Sequence, residues 1–427
     1  MKKTLFTIVS LFTLSAHQSQ ALTLYEALNL AMESNPEIQE SKSLLDSAKE
    51  NVIQARGDFM PTVSATGSLG NQKQDFDSGS SFVDTQSYAR TLKVTVEQPL
   101  FTGGKLLYGL RDVHNQLRSV EGQHSLNVQN ILLRVVTAYM DFLREKEVML
   151  LQESQVELLK KTLKETQIRF ENGDVTKTDI KQAEARLSRE VANHVNALGV
   201  FKTSETALEN LLGNLPEELF WPELVKGLPA TLEIAQSGVT HSHPKVVAAL
   251  GGLASKKYQV NVAKAEHYPQ ITANASVSKN DNVSALGYGL DYNERSLTLN
   301  LSIPLFNGGK ILSGVRAAFA AKMQAENIYE QARRDVEQEL GDSFYNYQAA
   351  VASLDAYVEA EKASAIAMQG VEREVQLGER QVLDGLNAHQ ELLEAQVNVA
   401  RGKHNVIVSS YRLLAAMGRL NLETLTE

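Results

Sequence analysis

The sequence predicts an α+β protein in which long antiparallel helices join four β-strands, all built from one unit that occurs twice. Three observations carry this. QPLFTGGK at 98–105 is answered by IPLFNGGK at 303–310, about 205 residues further on. All nine prolines fall at or before 99, between 216 and 269, or at 304, so 100–215 and 305–427 are free of proline. Those stretches are rich in Ala, Leu, Glu, Gln and Lys, which are strong helix formers. Between them, short runs alternate apolar and polar residues with a period of two, as strands with two unlike faces do.

The duplication extends along nearly the whole chain. Asn35-Pro36 is answered by His243-Pro244 and Met60-Pro61 by Tyr268-Pro269. Gly173 and Asp179 are answered by Gly378 and Asp384, and Leu212-Gly213 by Met417-Gly418. Such a period is too long for a solenoid repeat and reads as one domain-sized unit copied once. The division that follows is a signal peptide at 1–21, a first repeat at 22–213, a linker at 214–230, a second repeat at 231–418 and a tail at 419–427.

The elements follow in order. Lys2 and Lys3, the apolar run Leu5 to Leu14 and a small-residue end at Ala21 form a secretory leader, so the mature chain leaves the cytoplasm. A helix is predicted over 24–57. Strands follow at about 61–75, with Val63, Ala65, Gly67 and Leu69 alternating, and at about 87–99, with Leu92, Val94 and Val96 set against Thr91, Lys93, Thr95 and Glu97. The intervening 75–86 reads as an exposed loop. Residues 103–172 form one long helix, with Val128, Ile131, Val135, Ala138 and Phe142 starting a heptad-like seam that Glu145, Gln152 and Thr166 interrupt. Gly173 ends it as a helix cap, and 176–212 returns. The second copy repeats the plan with helix 232–266, strands at about 269–280 and 295–304 around a loop at 281–292, and helices 308–377 and 381–417. In each copy the two shorter helices laid end to end match the long one, which predicts a tall antiparallel column.

Period-two alternation marks a transmembrane barrel strand and equally a half-buried strand of a soluble sheet. In a membrane, four strands cannot close, and an open edge is not tolerated in hydrocarbon. Three copies would give twelve strands, a homotrimer whose internal duplication makes it nearly six-fold.

Composition removes several classes. The chain has no cysteine, which excludes disulfides, thiolate metal sites and a lipid on an N-terminal cysteine. No later run approaches the ~20 apolar residues of a spanning helix. With 51 acidic residues against 42 basic ones, nucleic acid is an unsuitable partner. His241 and His243 lack a third ligand nearby, and His243 reads as a helix-entry residue before Pro244. Gly103-Gly104-Lys105 and Gly308-Gly309-Lys310 lack phosphate-loop spacing and read as strand-to-helix hinges. No catalytic constellation, metal site or cofactor is expected.

The duplication, the two strand-end motifs, the Asn-Pro near the first unit's start and the turn segments RFENGDVTKTDIKQAEARL and REVQLGERQVLDGLNAHQELLEAQ together resemble the TolC-like family of trimeric outer-membrane channel-tunnels, the outer membrane factors. The resemblance covers essentially the whole chain. It implies a twelve-stranded trimeric barrel in the outer membrane and a coiled-coil helical tunnel extending into the periplasm. It also implies a passive duct for multidrug efflux or type I protein secretion, gated at its tip. Its implied partners are a periplasmic adaptor (a membrane fusion protein), an inner-membrane ABC or proton-driven transporter, and outer-membrane lipid. Carried onto this sequence, Asp384 falls on one position of an acidic constriction ring and Asn387 on the other. Arg380 matches a gate arginine, and Asp179 the aspartate it reaches. Val375 stands where some relatives have an aromatic latch residue. Gly173, Asp174, Gly378 and Glu379 mark the turns an adaptor would contact. On the residues alone, Asp384 and Asp179 read equally as first-turn charges that favour the helix dipole. The alternative for the whole chain is a pore-less periplasmic coiled-coil adaptor, against which the paired strands of both copies speak.

Overall fold

Proline and glycine decide where the elements start and stop. The computed structural model describes residues 22–77, 82–214, 218–237, 239–285 and 288–422. The predicted leader at 1–21, part of each predicted loop (78–81 and 286–287), linker residues 215–217 and tail residues 423–427 lie outside the described residues. The elements are α1 (Leu24–Ser34), α2 (Pro36–Gly57), β1 (Thr62–Asp77), β2 (Phe82–Phe101), α3 (Lys105–Glu171) and α4 (Lys177–Leu212). The second copy supplies α5 (Leu232–Gln236), α6 (Val239–Ser242), α7 (Pro244–Ala265), β3 (Gln270–Ala285), β4 (Tyr288–Ser302), α8 (Lys310–Leu377) and α9 (Val382–Ala416).

The helix expected over 24–57 is two helices. Asn35 is extended (φ −70°, ψ 123°), because a proline ring disfavours the helical region for the residue before it. The Asn35 side-chain oxygen then accepts the Glu37 N–H at 3.0 Å. The segment expected as a helix over 232–266 likewise divides into α5, α6 and α7. His243 is extended before Pro244, and its Nδ1 accepts the Lys245 N–H at 3.2 Å. The helix-entry role read for His243 is therefore what it performs.

The long helices end as predicted. Gly173 and Gly378 have φ of 84° and 79°, a left-handed conformation that only glycine adopts cheaply. Around them, Asp174 N–H reaches Arg169 O and Glu379 N–H reaches Glu374 O, each at 2.9 Å. This six-to-one bond, with the shorter one from each glycine, is the Schellman stop. At the opposite ends, Gly103 and Gly104 turn the chain from β2 into α3 with φ of 64° and 88°. A Cβ on Gly103 would lie 2.5 Å from Tyr268 Cβ, so this hinge is closed to any other residue.

The chain divides into two compact units to which α3 and α8 both contribute. The strand-free unit gathers residues 22–37, 128–214, 218–234 and 340–422. Its core buries Leu132, Val135, Val136, Tyr139 and Met140 of α3 with Leu28 and Ala31 of α1, Leu208 and Leu212 of α4, and Leu413 of α9. Of the predicted α3 seam, Ile131, Val135 and Phe142 are buried, Val128 and Ala138 are half-buried, and Thr166, read as an interruption, is buried. Phe142 and Phe201 pack with ring centroids 5.2 Å apart. The Tyr139 hydroxyl lies 2.9 Å and 2.8 Å from the carbonyl oxygens of Leu22 and Phe220, which ties the chain's start and the linker to α3. Burial pushes this phenol up to about 12.

The strand-bearing unit gathers residues 38–127 and 235–339. Here α3 and α7 approach backbone to backbone. A Cβ on Gly122 would sit 2.6 Å from Ala248 N, and one on Gly251 would sit 2.6 Å from Ser119 N. Ser119 Oγ donates to Ala248 O at 2.8 Å across the same crossing.

The four strands form one antiparallel sheet in chain order, β1-β2-β3-β4. They run further than predicted, to Asp77 and from Phe82 in one hairpin, and to Ala285 and from Tyr288 in the other. The loops expected at 75–86 and 281–292 are therefore largely strand. Beyond Leu69 the sequence no longer alternates regularly, yet the backbone ladder continues. At its other end β4 stops at Ser302 rather than at 304, two residues before Pro304, which has no N–H to donate.

Candidate functional site

The register gives the sheet two unlike faces. Directly opposed residues of an antiparallel ladder share a face, so each row can be read across the strands. Val63, Val96, Ala275 and Leu297 form one row, and Ala65, Val94, Val277 and Arg295 the next. On the other face lie Thr62, Glu97, Asn274 and Thr298, then Ser64, Thr95, Ser276 and Ser296, then Thr66, Lys93, Ser278 and Glu294.

Burial runs against the usual order. The apolar face is the open one: Leu297 is 79% exposed and Leu299 69%. On the polar face Ser278 and Asn280 are buried, and Thr91 Oγ1 donates to Asn280 Oδ1 at 3.0 Å. A soluble sheet buries its apolar face; in this chain that face is left open. The outer strands β1 and β4 each pair on one side alone among the described residues.

The second candidate region is the pair of turns in the strand-free unit. Asp179 lies in the first turn of α4, where its carboxylate accepts the Thr176 N–H at 2.8 Å and the Thr176 hydroxyl at 2.8 Å. The hydrogen bonds from Thr176, backbone first, hold its carboxyl below the usual range. Asp384 takes the equivalent place on α9 and accepts the Gln381 N–H at 3.3 Å. Both aspartates are therefore helix caps, whatever else they do.

Arg380 does not reach Asp179 within the chain; its Nε is 2.5 Å from Glu374 Oε2. Asn387 is exposed and accepts a hydrogen bond from Arg186 of α4, a partner that sequence reading missed. A groove of about 590 Å³ lies between the turns, and Arg169, Asp174, Glu372, Gly378, Gly385 and His389 line it. Val375 Cγ2 fills the space beside Gly385, 3.5 Å from where a Cβ would be. Among the described residues no group of His, Cys, Asp and Glu could hold a metal ion.

A polar cluster links α3 to α9 deeper in the same unit. His404 Nε2 lies 2.9 Å from Asp141 Oδ1, and Arg144 Nη1 lies 2.9 Å from the same oxygen. Burial alone would raise the Asp141 carboxyl, but the His404 hydrogen bond and the Arg144 charge hold it below its usual value. A carboxyl with a depressed folded pKa stabilises above its unfolded value, and that contribution is lost as pH falls through the folded one. Acidification below about pH 4 is therefore expected to lower the melting temperature, and in His404→Gln the acid-dependent part of that loss should shrink. A melting temperature with the same acid dependence in both proteins would detach this cluster from stability.

A model of the family described as outer membrane efflux protein matches residues 27–214 and 238–419. The chain is 27% identical over 403 residues to the outer membrane efflux protein BepC of Brucella suis, covering 94% of this chain and 87% of that one. It is 25% identical to the outer membrane protein TolC of Vibrio cholerae, over 99% of this chain and 96% of that one. In fold it is similar to the crystal structure of the outer membrane protein VceC from Vibrio cholerae. The TM-score is 0.79 at 20% identity, over 92% of this chain and 96% of that one.

Proposed function

The chain belongs to the outer membrane efflux protein family, and we propose that three copies of it form a passive exit duct through the outer membrane. The sheet carries this reading: its apolar face is exposed, Ser278 and Asn280 of its polar face are buried, and its edges β1 and β4 are unpaired among the described residues. Joining β4 of one copy to β1 of the next satisfies those edges and closes twelve strands around a polar lumen. Exposed apolar residues on α4, Val191, Val195 and Leu198, recur at helical spacing and supply a seam for a neighbouring copy. The duct does no chemistry; it belongs to a tripartite exporter whose adaptor and energised inner-membrane transporter provide selection and drive.

Single cysteines on β1 and β4 test the assembly cleanly, because the chain has none of its own. Oxidation should yield a covalent ladder that stops at three chains. Only monomer, or a ladder that continues, would contradict the closed trimer.

Gating belongs at the turns. Three Asp384 carboxylates brought onto one axis repel one another and attract cations, while Asn387, held by Arg186, takes the place of a second acidic ring. Arg380 and Asp179 have local partners in Glu374 and Thr176, and Arg380 stays about half exposed, open to a link with a neighbouring copy. The groove beside Asp174 and Gly378, with Gly173 and Glu379 at its rim, is the adaptor's contact. Asp384→Ala is expected to lower cation preference in single-channel recordings; unchanged selectivity would remove it from the constriction.

Cargo follows the inner-membrane partner, either small molecules or a secreted polypeptide. The culture-supernatant proteome of a strain lacking the chain separates them: loss of one or a few large proteins establishes type I secretion. An unchanged supernatant with heightened drug sensitivity establishes efflux.

A further inference from the structure

The outward face of the sheet changes character along its length. Towards the helix end Ile271 opposes Leu301, Ala273 opposes Leu299 with Gln98 on its other side, and Val63, Val96, Ala275 and Leu297 form a wholly apolar row. Then cations enter on the same face. Arg295 opposes Val277, Lys279 opposes Leu92 and Asn293, and Arg90 opposes Leu69 and Asp281. Lys279 is the diagonal neighbour of both arginines, at a Cβ separation of about 7–8 Å for such positions. The three form one patch across β2, β3 and β4.

Two carboxylates share that face: Asp281 Oδ2 lies 3.6 Å from Lys279 Nζ, and Asp291, the other diagonal neighbour of Lys279 on β4, accepts the Asn282 N–H at 2.7 Å. Arg90 and Arg295 are exposed and make no ion pair among the described residues. The helix end of the sheet is different, exposing Phe59, Met60, Leu100, Phe101 and Tyr268. The hairpin end also exposes Tyr88, Leu290 and Tyr292, and differs from the helix end in the cations it adds to them.

A cation on a lipid-facing strand is costly at the bilayer midplane and nearly free at the interface. The patch must then sit at headgroup level, at the end bearing the hairpin turns. With the helices in the periplasm, that end is the outer leaflet. The geometry points to a headgroup site at which Arg90, Lys279 and Arg295 bind the phosphates of the outer-leaflet glycolipid. Guanidinium groups suit this because they hold phosphate oxygens bidentately. Asp281 opposes it by occupying Lys279. The site rests on the sheet being the membrane-spanning barrel proposed above.

The test uses the purified, detergent-solubilised protein, with diphosphoryl lipid A and its phosphate-free counterpart as probes and native mass spectrometry as the readout. The parent protein should retain the diphosphoryl lipid about tenfold more tightly than the phosphate-free one. Arg90→Gln, Lys279→Gln and Arg295→Gln combined should abolish that preference while the heat-modifiable trimer persists. Asp281→Asn, which removes the competing carboxylate, should strengthen retention, and it decides the matter if the triple variant fails to fold. A heat-modifiable trimer that binds both lipids equally, a triple variant that keeps the preference, or an Asp281→Asn protein with unchanged retention overturns the headgroup site alone. A parent protein that forms no heat-modifiable trimer overturns the barrel and the site together.

Discussion

Leu297→Arg is expected to abolish the heat-modifiable, membrane-extracted form of the protein, whereas Ser296→Arg, one position away, leaves it intact. Leu297 ends the one row that is apolar on all four strands, with Val63, Val96 and Ala275. Ser296 lies on the polar face, opposite Ser276, with the two hydroxyls 3.2 Å apart. An arginine on the lipid-facing side costs up to about 2–4 kcal/mol per chain, most at the midplane and less towards the interface, and a closed trimer would carry three. An arginine at 296 would project into water. Equal yields of inserted trimer from the two variants would mean that the apolar face does not meet lipid. The result bears on the whole functional reading, because a pore-less adaptor has no reason to distinguish the two positions in this way.

The second large effect is expected at Gly122. Replacing it by valine should prevent α3 and α7 from packing, because even a Cβ would stand 2.6 Å from Ala248 N and 2.9 Å from Pro244 O. These neighbours are backbone atoms of α7, so no side chain can rotate away. Overpacking of this kind costs about 3 kcal/mol. Ser119→Ala, which removes the hydrogen bond to Ala248 O and adds no bulk, should cost about 1 kcal/mol. Thermal or denaturant unfolding of the purified protein checks both. A Gly122→Val protein as stable as its parent would mean that the two helices do not cross here. The same helix α3 also reaches the strand-free unit, so a failure at Gly122 should reduce the yield of folded protein as a whole.

What the sequence made legible was what repeats or alternates locally. Val63 to Leu69 and Leu297 to Leu301 announced strands because a sheet with two unlike faces imposes a period of two. Gly173 and Gly378 announced helix stops because a left-handed residue after a helical run is a local requirement. The strand extensions to Asp77 and Ala285 were hidden because, past the apolar rows, nothing constrains side-chain type while backbone pairing goes on. The breaks at Asn35 and His243 were signalled by Pro36 and Pro244, yet helical periodicity on either side disguised them. Contacts between distant elements left no local trace. Gly122 and Gly251 look like poor helix residues until α7 is laid against α3, and Asn387 gives no hint of Arg186. Asp384 and Asp179 remain the instructive case, since capping and a role at a constriction ask for the same carboxylate in the same first turn.

The central claim is that this chain assembles a water-filled conduit, and conductance tests it most directly. Purified trimer added to a planar lipid bilayer should give uniform, discrete current steps, one per inserted trimer, with a preference for cations that Asp384→Ala lowers. A heat-modifiable trimer that inserts into the bilayer without carrying current would contradict the account.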